Sequence, residues 1–206
     1  MSIIQPRIYL ASQSPRRREL LKQIGVNFEM LLLREDPHRG VDIDEAPLAV
    51  EQPEDYVQRV CKEKALAGWG SLRYRSLPPF PVLAADTTVT VDGMILGKPE
   101  NSKQAAAMLR QLSGREHRVL SAVAIAMNEH IEVALSISTV RFAALSEERI
   151  HRYLLSREYM DKAGGYAIQG IAGAFVEHLS GSYSGVMGLP LFETVQLLQR
   201  FDCPTP

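Results

Sequence analysis

The sequence of 206 residues is poor in cysteine and tryptophan and has no long uncharged apolar run. Its longest segment without Asp, Glu, Lys or Arg, residues 178–192, is shorter than the roughly 20 apolar residues of a membrane helix. The two cysteines, Cys61 and Cys203, allow one disulfide at most, and their settings favour reduced thiols. Because the first residues also lack the pattern of a secretory signal, we expect a cytoplasmic protein without a membrane partner.

Charge of one sign is not in excess either. The 23 Lys and Arg residues are balanced by 24 Asp and Glu residues, which argues against histone-like proteins and against any nucleic-acid partner. The charge is nevertheless uneven, since residues 1–22 carry five basic groups against one acidic group and residues 23–60 carry three against nine. A small anionic ligand therefore remains compatible with the sequence.

Several common catalytic motifs are absent. Residues 93–99 contain Gly-Lys followed by Pro, which does not fit a Walker phosphate loop. Residues 181–185 resemble a nucleophile elbow, but Tyr183 stands where the serine belongs. The histidines lack metal-ligand spacing, so His117 and His151 are expected to be surface or hydrogen-bonded structural residues.

Strand and helix patterns alternate irregularly along the chain. Strands are expected at residues 7–11, 26–33, 82–85, 87–91, 118–127, 131–144 and 173–179, and helices at 15–24, 53–67, 102–112, 146–155 and 190–201. We interpret this order as an α/β or α+β fold, in which helices pack around a curved sheet and two lobes are one possible arrangement. No repeat or linker divides the chain, so residues 1–206 are expected to form one domain.

The strongest functional signal is a hydroxyl-rich and arginine-rich segment at residues 11–21. Ser12, Arg16 and Arg17 surround the start of a predicted helix, where free backbone N–H groups and guanidinium groups can bind phosphate oxygens. The alternative is a solvated first turn, but cations at a helix N-terminus oppose the helix dipole. Phosphate binding is the favoured interpretation.

Three further segments are weaker signals individually. Asp86 follows the apolar residues 82–85, where a rigidly held carboxylate can activate water or hold a metal, or simply form a turn. Lys98, in a Gly-Lys-Pro frame, is either a phosphate contact or part of a plain turn. The paired glycines before Gln169 suit a ligand loop or only a flexible one. Together the four segments indicate a nucleotide or polyphosphate hydrolase.

Seven motifs in order along the chain resemble the Maf nucleotide pyrophosphatase family. They are SQSPRR at residues 12–17, EKA at 63–65, AADT at 84–87, GKP at 97–99, SGREHRV at 113–119, DKAGGYAIQG at 161–170 and GLPL at 188–191. The resemblance implies an elongated, ITPase-like α/β fold, in which a curved mixed sheet flanked by helices forms two lobes around a central cleft. It also implies hydrolysis of nucleoside triphosphates to monophosphate and pyrophosphate, with a divalent cation, Mg²⁺ or Mn²⁺, as cofactor. Members often form dimers, so a homodimer is one expectation.

The same resemblance assigns roles to particular residues. Asp86 matches the catalytic proton acceptor, and the trio that resembles the branch acting on dTTP and UTP consists of Arg16, Thr87 and Gln169. The positions expected to hold phosphates are Ser12, Arg17, Lys64 and Lys98.

The metal ligands are left unassigned, although Glu45, in an acidic pair with Asp44, matches a position near the cleft that could help bind metal. Two departures from the family pattern are extra length at residues 36–41, which affects the alignment of this pair, and Ser121, where Thr is expected. The serine retains the hydroxyl and should be tolerated.

Two other functions stay open. One is the 7-methyl-GTP branch of the same family, which departs from the trio. The other is a nucleotide-sensing regulator of septum formation that acts by binding alone, although mere binding does not require Asp86. A third interpretation, a polyanion-binding module, is disfavoured by the balanced charge.

Overall fold

The computed structural model describes residues 7–33, 42–203 and 205. Within these ranges the strands are β1 (Ile8–Leu10), β2 (Phe28–Met30), β3 (Val82–Val91), β4 (Met94–Leu96), β5 (Glu116–Met127), β6 (His130–Phe142) and β7 (Val176–Ser180). The α-helices are α1 (Pro15–Gln23), α2 (Pro53–Tyr74), α3 (Ser102–Leu112), α4 (Glu147–Leu155), α5 (Tyr183–Met187) and α6 (Leu191–Arg200), and 3-10 helices form at Ala163–Gly165 and Ile171–Phe175. None of the helices in these ranges combines the length and apolar character needed to cross a membrane.

The seven strands form one mixed sheet in the order β2-β1-β3-β5-β6-β7, and β4 pairs with the end of β3 on the same edge as β1. The contacts of β1 with β2 and β3 are parallel, whereas β3, β4, β5, β6 and β7 pair in antiparallel fashion. The long hairpin of β5 and β6 and its pairing with β3 make up most of the sheet.

Helices cover both faces of the sheet. On one face, α2 packs over an apolar cluster that includes Tyr9, Ala84 and Leu120. The opposite face carries two clusters, one beneath α1 and α6 and one beneath α3 and α4. A row of hydroxyl residues crosses the sheet between these two clusters, and its members are Thr87, Ser121, Ser136 and Ser138. The polar row divides the apolar core of this face in two.

Two predicted boundaries in the central region are wrong. The helix that begins at Pro53 does not end near Gly68 and Gly70 but continues to Tyr74. A Cβ at Gly68 would lie 2.8 Å from Val82 Cγ1, so the missing side chain lets α2 approach β3 closely. Likewise, the chain does not leave the sheet at Asp86, because β5 pairs with β3 without interruption from Val82 to Thr90.

Other predicted elements are confirmed. The strands predicted at residues 118–127 and 131–144 form β5 and β6, which pair with each other, and Asp92 and Gly93 form the turn between β3 and β4 with positive φ angles. Ser146 caps α4 by accepting a hydrogen bond from the Arg149 N–H. Ser14 also precedes its helix, but its side chain makes no cap, and Ser12 Oγ accepts the Ser14 N–H instead. The short helix α5 is not indicated by any pattern in the sequence.

The structure confirms the fold class, a mixed α/β sheet flanked by helices on both faces. The assignment of residues 1–206 to a single domain stays a prediction.

Candidate active site

The central candidate residues lie at an opening in one edge of β3, where strand pairing is interrupted. The strand β1 pairs with β3 only at Val82 and Leu83, and β4 joins the same edge only from Val89 onward. Within the described ranges, the segment between them has no strand partner on this edge. Because side chains alternate along a strand, Asp86 faces α2 and Thr87 faces the opposite side. Both side chains flank the opening.

Asp86 forms an ion pair with Lys64 of α2. The Asp86 side chain is 12% exposed, and its Oδ1 lies 2.7 Å from Lys64 Nζ. The same ammonium group lies 2.8 Å from Glu45 Oε1, so one lysine bridges two carboxylates. Burial lowers the pKa of Lys64, but the negative charges of Asp86 and Glu45 outweigh burial and raise it above its usual value. Lys64 is therefore held in its charged form.

The segment that carries Glu45 is fastened to α2. The Tyr56 hydroxyl donates to the Glu45 backbone carbonyl at 3.0 Å. Arg59 donates to the Ala46 carbonyl at 3.0 Å and forms an ion pair with Glu51 at 2.7 Å. These contacts hold Glu45 over Lys64, and so α2 supplies both the cation and the support for the second carboxylate.

Arg17 lies on the other side of the opening, where three acceptors hold its guanidinium group. Its Nε donates to the Gly188 carbonyl at 2.8 Å, its Nη1 to Ser12 Oγ at 3.1 Å and its Nη2 to Thr87 Oγ1 at 3.4 Å. Burial lowers the pKa of Arg17, and the nearby charge of Asp86 opposes that effect. The contacts join the segment after β1, the middle of β3 and the chain after α5.

Arg16 lies within electrostatic reach of Asp161 and Lys162. Burial and then the charge of Arg17 lower the pKa of Arg16, while Asp161 raises it. The pKa of Lys162 is lowered by burial and then by Arg16, which also places these groups near one another. The start of α1 and the glycine-rich segment therefore lie on the same side of the molecule.

Gln169 is exposed and lies between the two 3-10 helices. Glu158 fixes the backbone next to it, because its carboxylate accepts the Ile171 N–H at 2.7 Å and the Ala172 N–H at 3.1 Å. A side chain at Gly170 would collide with that carboxylate, since a Cβ there would lie 2.2 Å from Glu158 Oε2. The exposed Gln169 side chain thus lies on a segment whose backbone is held in place by Glu158.

Lys98 is exposed on the turn after β4. Its charge, together with that of Lys64, helps to keep the pKa of Glu45 below its usual value against the effect of burial. The turn is tied to the glycine-rich segment, because the Gly164 N–H donates to the Gly97 carbonyl at 3.0 Å. Lys98 thus lies within electrostatic reach of Glu45, and no direct side-chain contact between the two is found in the described part of the chain.

The predicted site residues fall into groups. The structure joins Ser12, Arg17 and Thr87 through hydrogen bonds and joins Lys64 to Asp86 through an ion pair. Arg16, Lys98 and Gln169 make none of these direct contacts. Their assigned roles stay predictions, as do those of the joined residues. The extra length at residues 36–41 lies outside the described residues.

Sequence reasoning misses the backbone part of the site. The Gly185 and Gly188 carbonyls accept hydrogen bonds from Ser121 and Arg17, respectively. The GLPL motif at residues 188–191 is the available sequence signal for this part of the site. Because every residue has a backbone carbonyl, residue type does not indicate which carbonyl accepts a hydrogen bond. Tyr56 fits the apolar stripe of α2 by its spacing, although its hydroxyl reaches Glu45.

The residues present fit a hard divalent cation. Glu45 and Asp86 both contact one ammonium group, so their oxygens converge on a place that already holds positive charge. Carboxylate oxygens suit Mg²⁺ and Mn²⁺, and Mg²⁺ is often bound by one or two carboxylates together with substrate phosphates. The described residues contain no group of three or more His, Cys, Asp or Glu side chains that could hold a metal ion.

Comparisons with known proteins identify relatives of the chain. The chain is 53% identical over 205 residues to a dTTP/UTP pyrophosphatase of Aromatoleum aromaticum, covering 99% of this chain and 100% of the relative. It is 56% identical over 196 residues to a dTTP/UTP pyrophosphatase of Ralstonia nicotianae, covering 95% and 94%. Among solved structures, the Ham1 protein of Staphylococcus aureus matches with a TM-score of 0.49 and 14% identity, covering 95% of this chain and 97% of that chain. The family model described as Maf-like protein matches residues 7–201, and the chain therefore belongs to the Maf family.

Proposed function

We propose that this protein hydrolyses dTTP and UTP to the nucleoside monophosphate and pyrophosphate. Relatives that match nearly the whole chain at 53% to 56% identity are named dTTP/UTP pyrophosphatases. The structural observation that carries the proposal is the position of Asp86, a carboxylate at the open edge of β3 with Lys64 on one side and Arg17 on the other. Binding alone would not require a carboxylate among these cations.

In the proposed reaction, Asp86 accepts a proton from the water molecule that attacks the α-phosphorus, and pyrophosphate leaves. Lys64, Arg17 and Lys98 offset the negative charge on the phosphate oxygens, which is the main requirement of phosphoryl transfer. Ser12 and the backbone at the start of α1 add hydrogen-bond donors. The chain thus supplies a proton acceptor and positively charged side chains around the phosphates.

The proposed cofactor is Mg²⁺ or Mn²⁺, which Glu45 and the phosphates would hold, since Asp86 is assigned to accept the proton. When bound, such an ion neutralises phosphate charge and polarises the phosphoryl oxygens. The Lys64 ammonium group has three N–H donors, and Asp86 and Glu45 account for two of them, so the third can donate to a phosphate oxygen. The Tyr56 and Arg59 contacts keep Glu45 in place for this role.

The proposed preference for thymine and uracil depends on Arg16, Thr87 and Gln169. The Gln169 amide offers both a donor and an acceptor, which matches the alternating carbonyl and N–H groups of these bases. A cytoplasmic location, a homodimer and the absence of a nucleic-acid partner remain predictions.

The decisive experiment measures pyrophosphate release from dTTP, UTP, CTP, ATP, GTP and 7-methyl-GTP with Mn²⁺ or Mg²⁺. We expect dTTP and UTP to be the preferred substrates and chelation by EDTA to stop release. Preference for 7-methyl-GTP would place the chain in the other branch. Nucleotide binding without release from any triphosphate would favour the sensing function instead.

The variant Asp86→Asn tests the assigned proton acceptor. We expect pyrophosphate release to fall by at least about a thousandfold, within the range of losses known for essential catalytic groups, while nucleotide still binds. The matched control is Asp92→Asn, which changes an exposed aspartate in the turn after the same strand. Activity retained in Asp86→Asn would exclude the assigned role.

A further inference from the structure

Ser121 is a buried hydroxyl in contact with the site but outside its assigned residues. It lies in β5 directly opposite Thr87 and is 1% exposed. Its Oγ is 2.6 Å from the Gly185 carbonyl oxygen and 3.0 Å from Thr87 Oγ1. The serine thus bridges a candidate specificity residue and the backbone of α5.

The chemistry of the two partners fixes the direction of these hydrogen bonds. A serine hydroxyl has one proton to donate, and a carbonyl oxygen can only accept. Ser121 therefore donates to Gly185, and in the contact between the hydroxyls Thr87 is the donor. With its proton committed in this way, Thr87 can offer only lone pairs to Arg17 Nη2, which lies 3.4 Å away.

The direction of the hydrogen bond between Thr87 and Ser121 determines whether Thr87 can accept a hydrogen bond from Arg17. A guanidinium group has five N–H bonds, and here Gly188, Ser12 and Thr87 each accept one of them. One N–H therefore remains on each terminal nitrogen. Without Ser121 the Thr87 hydroxyl is free to rotate, and in those rotamers that turn its proton toward Arg17 Nη2 the third anchor of the guanidinium is lost.

We propose that Ser121 is a positioning residue that fixes Thr87 as a hydrogen-bond acceptor and thereby sets the orientation of Arg17. The two remaining N–H bonds are then held ready for oxygens of one phosphate group. The functional consequence rests on the proposed function, since it requires that Arg17 bind the triphosphate. The orientation itself belongs to the ligand-free protein.

The test is a double-mutant cycle with Ser121→Ala and Thr87→Val, read as kcat/KM for dTTP. Ser121→Ala alone should lower kcat/KM about fivefold, as expected for one hydrogen bond in a network. In the Thr87→Val background the same change should have almost no further effect, because the hydroxyl through which it acts is gone. Losses that multiply would overturn the proposal.

The matched control is Ser138→Ala. Ser138 is also 1% exposed, and its Oγ accepts the Ser182 N–H at 2.9 Å, so it anchors the same stretch of chain at α5. No hydrogen bond to Thr87 is found for it in the described part of the chain. We expect Ser138→Ala to retain kcat/KM, and a loss equal to that of Ser121→Ala would show that both serines merely support α5.

A second measurement separates the orientation from the reaction. The ¹⁵N NMR signals of the Arg17 guanidinium group report how freely its terminal nitrogens rotate in the ligand-free protein. Ser121→Ala should speed this rotation and Ser138→Ala should not. Should Ser121→Ala fail to fold, Ser121→Cys, with its weak donor, replaces it with the same expectation. An unchanged signal overturns the proposal, whereas absence of pyrophosphate release in the unmodified protein overturns only the proposed function.

Discussion

At the scale of single residues, the candidate site brings partly buried positive side chains close to partly buried negative ones. Lys64 is held between Asp86 and Glu45, and Arg17 lies within electrostatic reach of Asp86. Burial alone would disfavour each charged form, and the pairing offsets that cost. The same surroundings raise the pKa of the neighbouring Cys61 to about 12, first through burial and then through Asp86. Cys61 is therefore a structural thiol rather than a nucleophile.

Gln169 allows a direct test of base selection. Gln169→Glu keeps the size of the side chain but removes its donor, so it should lower kcat/KM for dTTP and UTP about tenfold relative to GTP. The measurement is pyrophosphate release from the three nucleotides. Gln196→Glu, an exposed position on α6, controls for the added charge. An unchanged substrate ranking would remove Gln169 from the specificity residues.

At the scale of elements, the approach of α2 to the sheet decides where Lys64 lies. The helix passes directly over β3 at Gly68, where a Cβ would meet Val82 Cγ1 at 2.8 Å, and Lys64 lies one turn earlier. Glycine is usually unfavourable inside a helix. Here it permits a close packing distance, which brings the ammonium group of Lys64 to Asp86.

The two glycines of α2 make a matched pair of stability variants. A Cβ at Gly70 would have no described atom within 4 Å beyond its own helix backbone, so Gly70→Ala should raise the free energy of unfolding by up to about 1 kcal/mol through helix propensity. Gly68→Ala should instead lower it by about 1–3 kcal/mol through overpacking against Val82. Urea denaturation measures both changes. Equal effects of the two substitutions would contradict the close-approach explanation.

At the scale of the whole molecule, two apolar clusters on one face of the sheet are separated by the hydroxyl row that includes Thr87 and Ser121. The cluster under α3 and α4 surrounds His117, which is buried and contacts the rings of Phe142 and Tyr166. Burial lowers the pKa of His117 to about 4. The prediction that His117 has a structural, hydrogen-bonded role agrees with this setting, and His151 is exposed as expected.

The stability of the protein should depend on His117 in mildly acidic solution. Below pH 6.5 the unfolded chain protonates this histidine, whereas the folded protein does so only near pH 4, so its contribution is lost as the pH falls between these values. The loss amounts to about 3 kcal/mol of unfolding free energy across the full range. Urea denaturation at pH 7 and pH 5 should therefore show a smaller pH effect in His117→Gln than in the control His151→Gln. The same pH effect in both variants would contradict this role.

Periodicity and ordered motifs were sufficient to predict the fold class, most strands and helices and the family. The continuation of α2 through Gly68, the continuation of β3 past Asp86 and the hydrogen bonds that join Thr87 to Ser121 and Ser121 to Gly185 are visible only in the three-dimensional structure. These features depend on contacts between segments far apart in the chain and on backbone carbonyls, which every residue carries. The physical limit of sequence reasoning here is that residue type indicates which groups are available, whereas packing decides which of them meet.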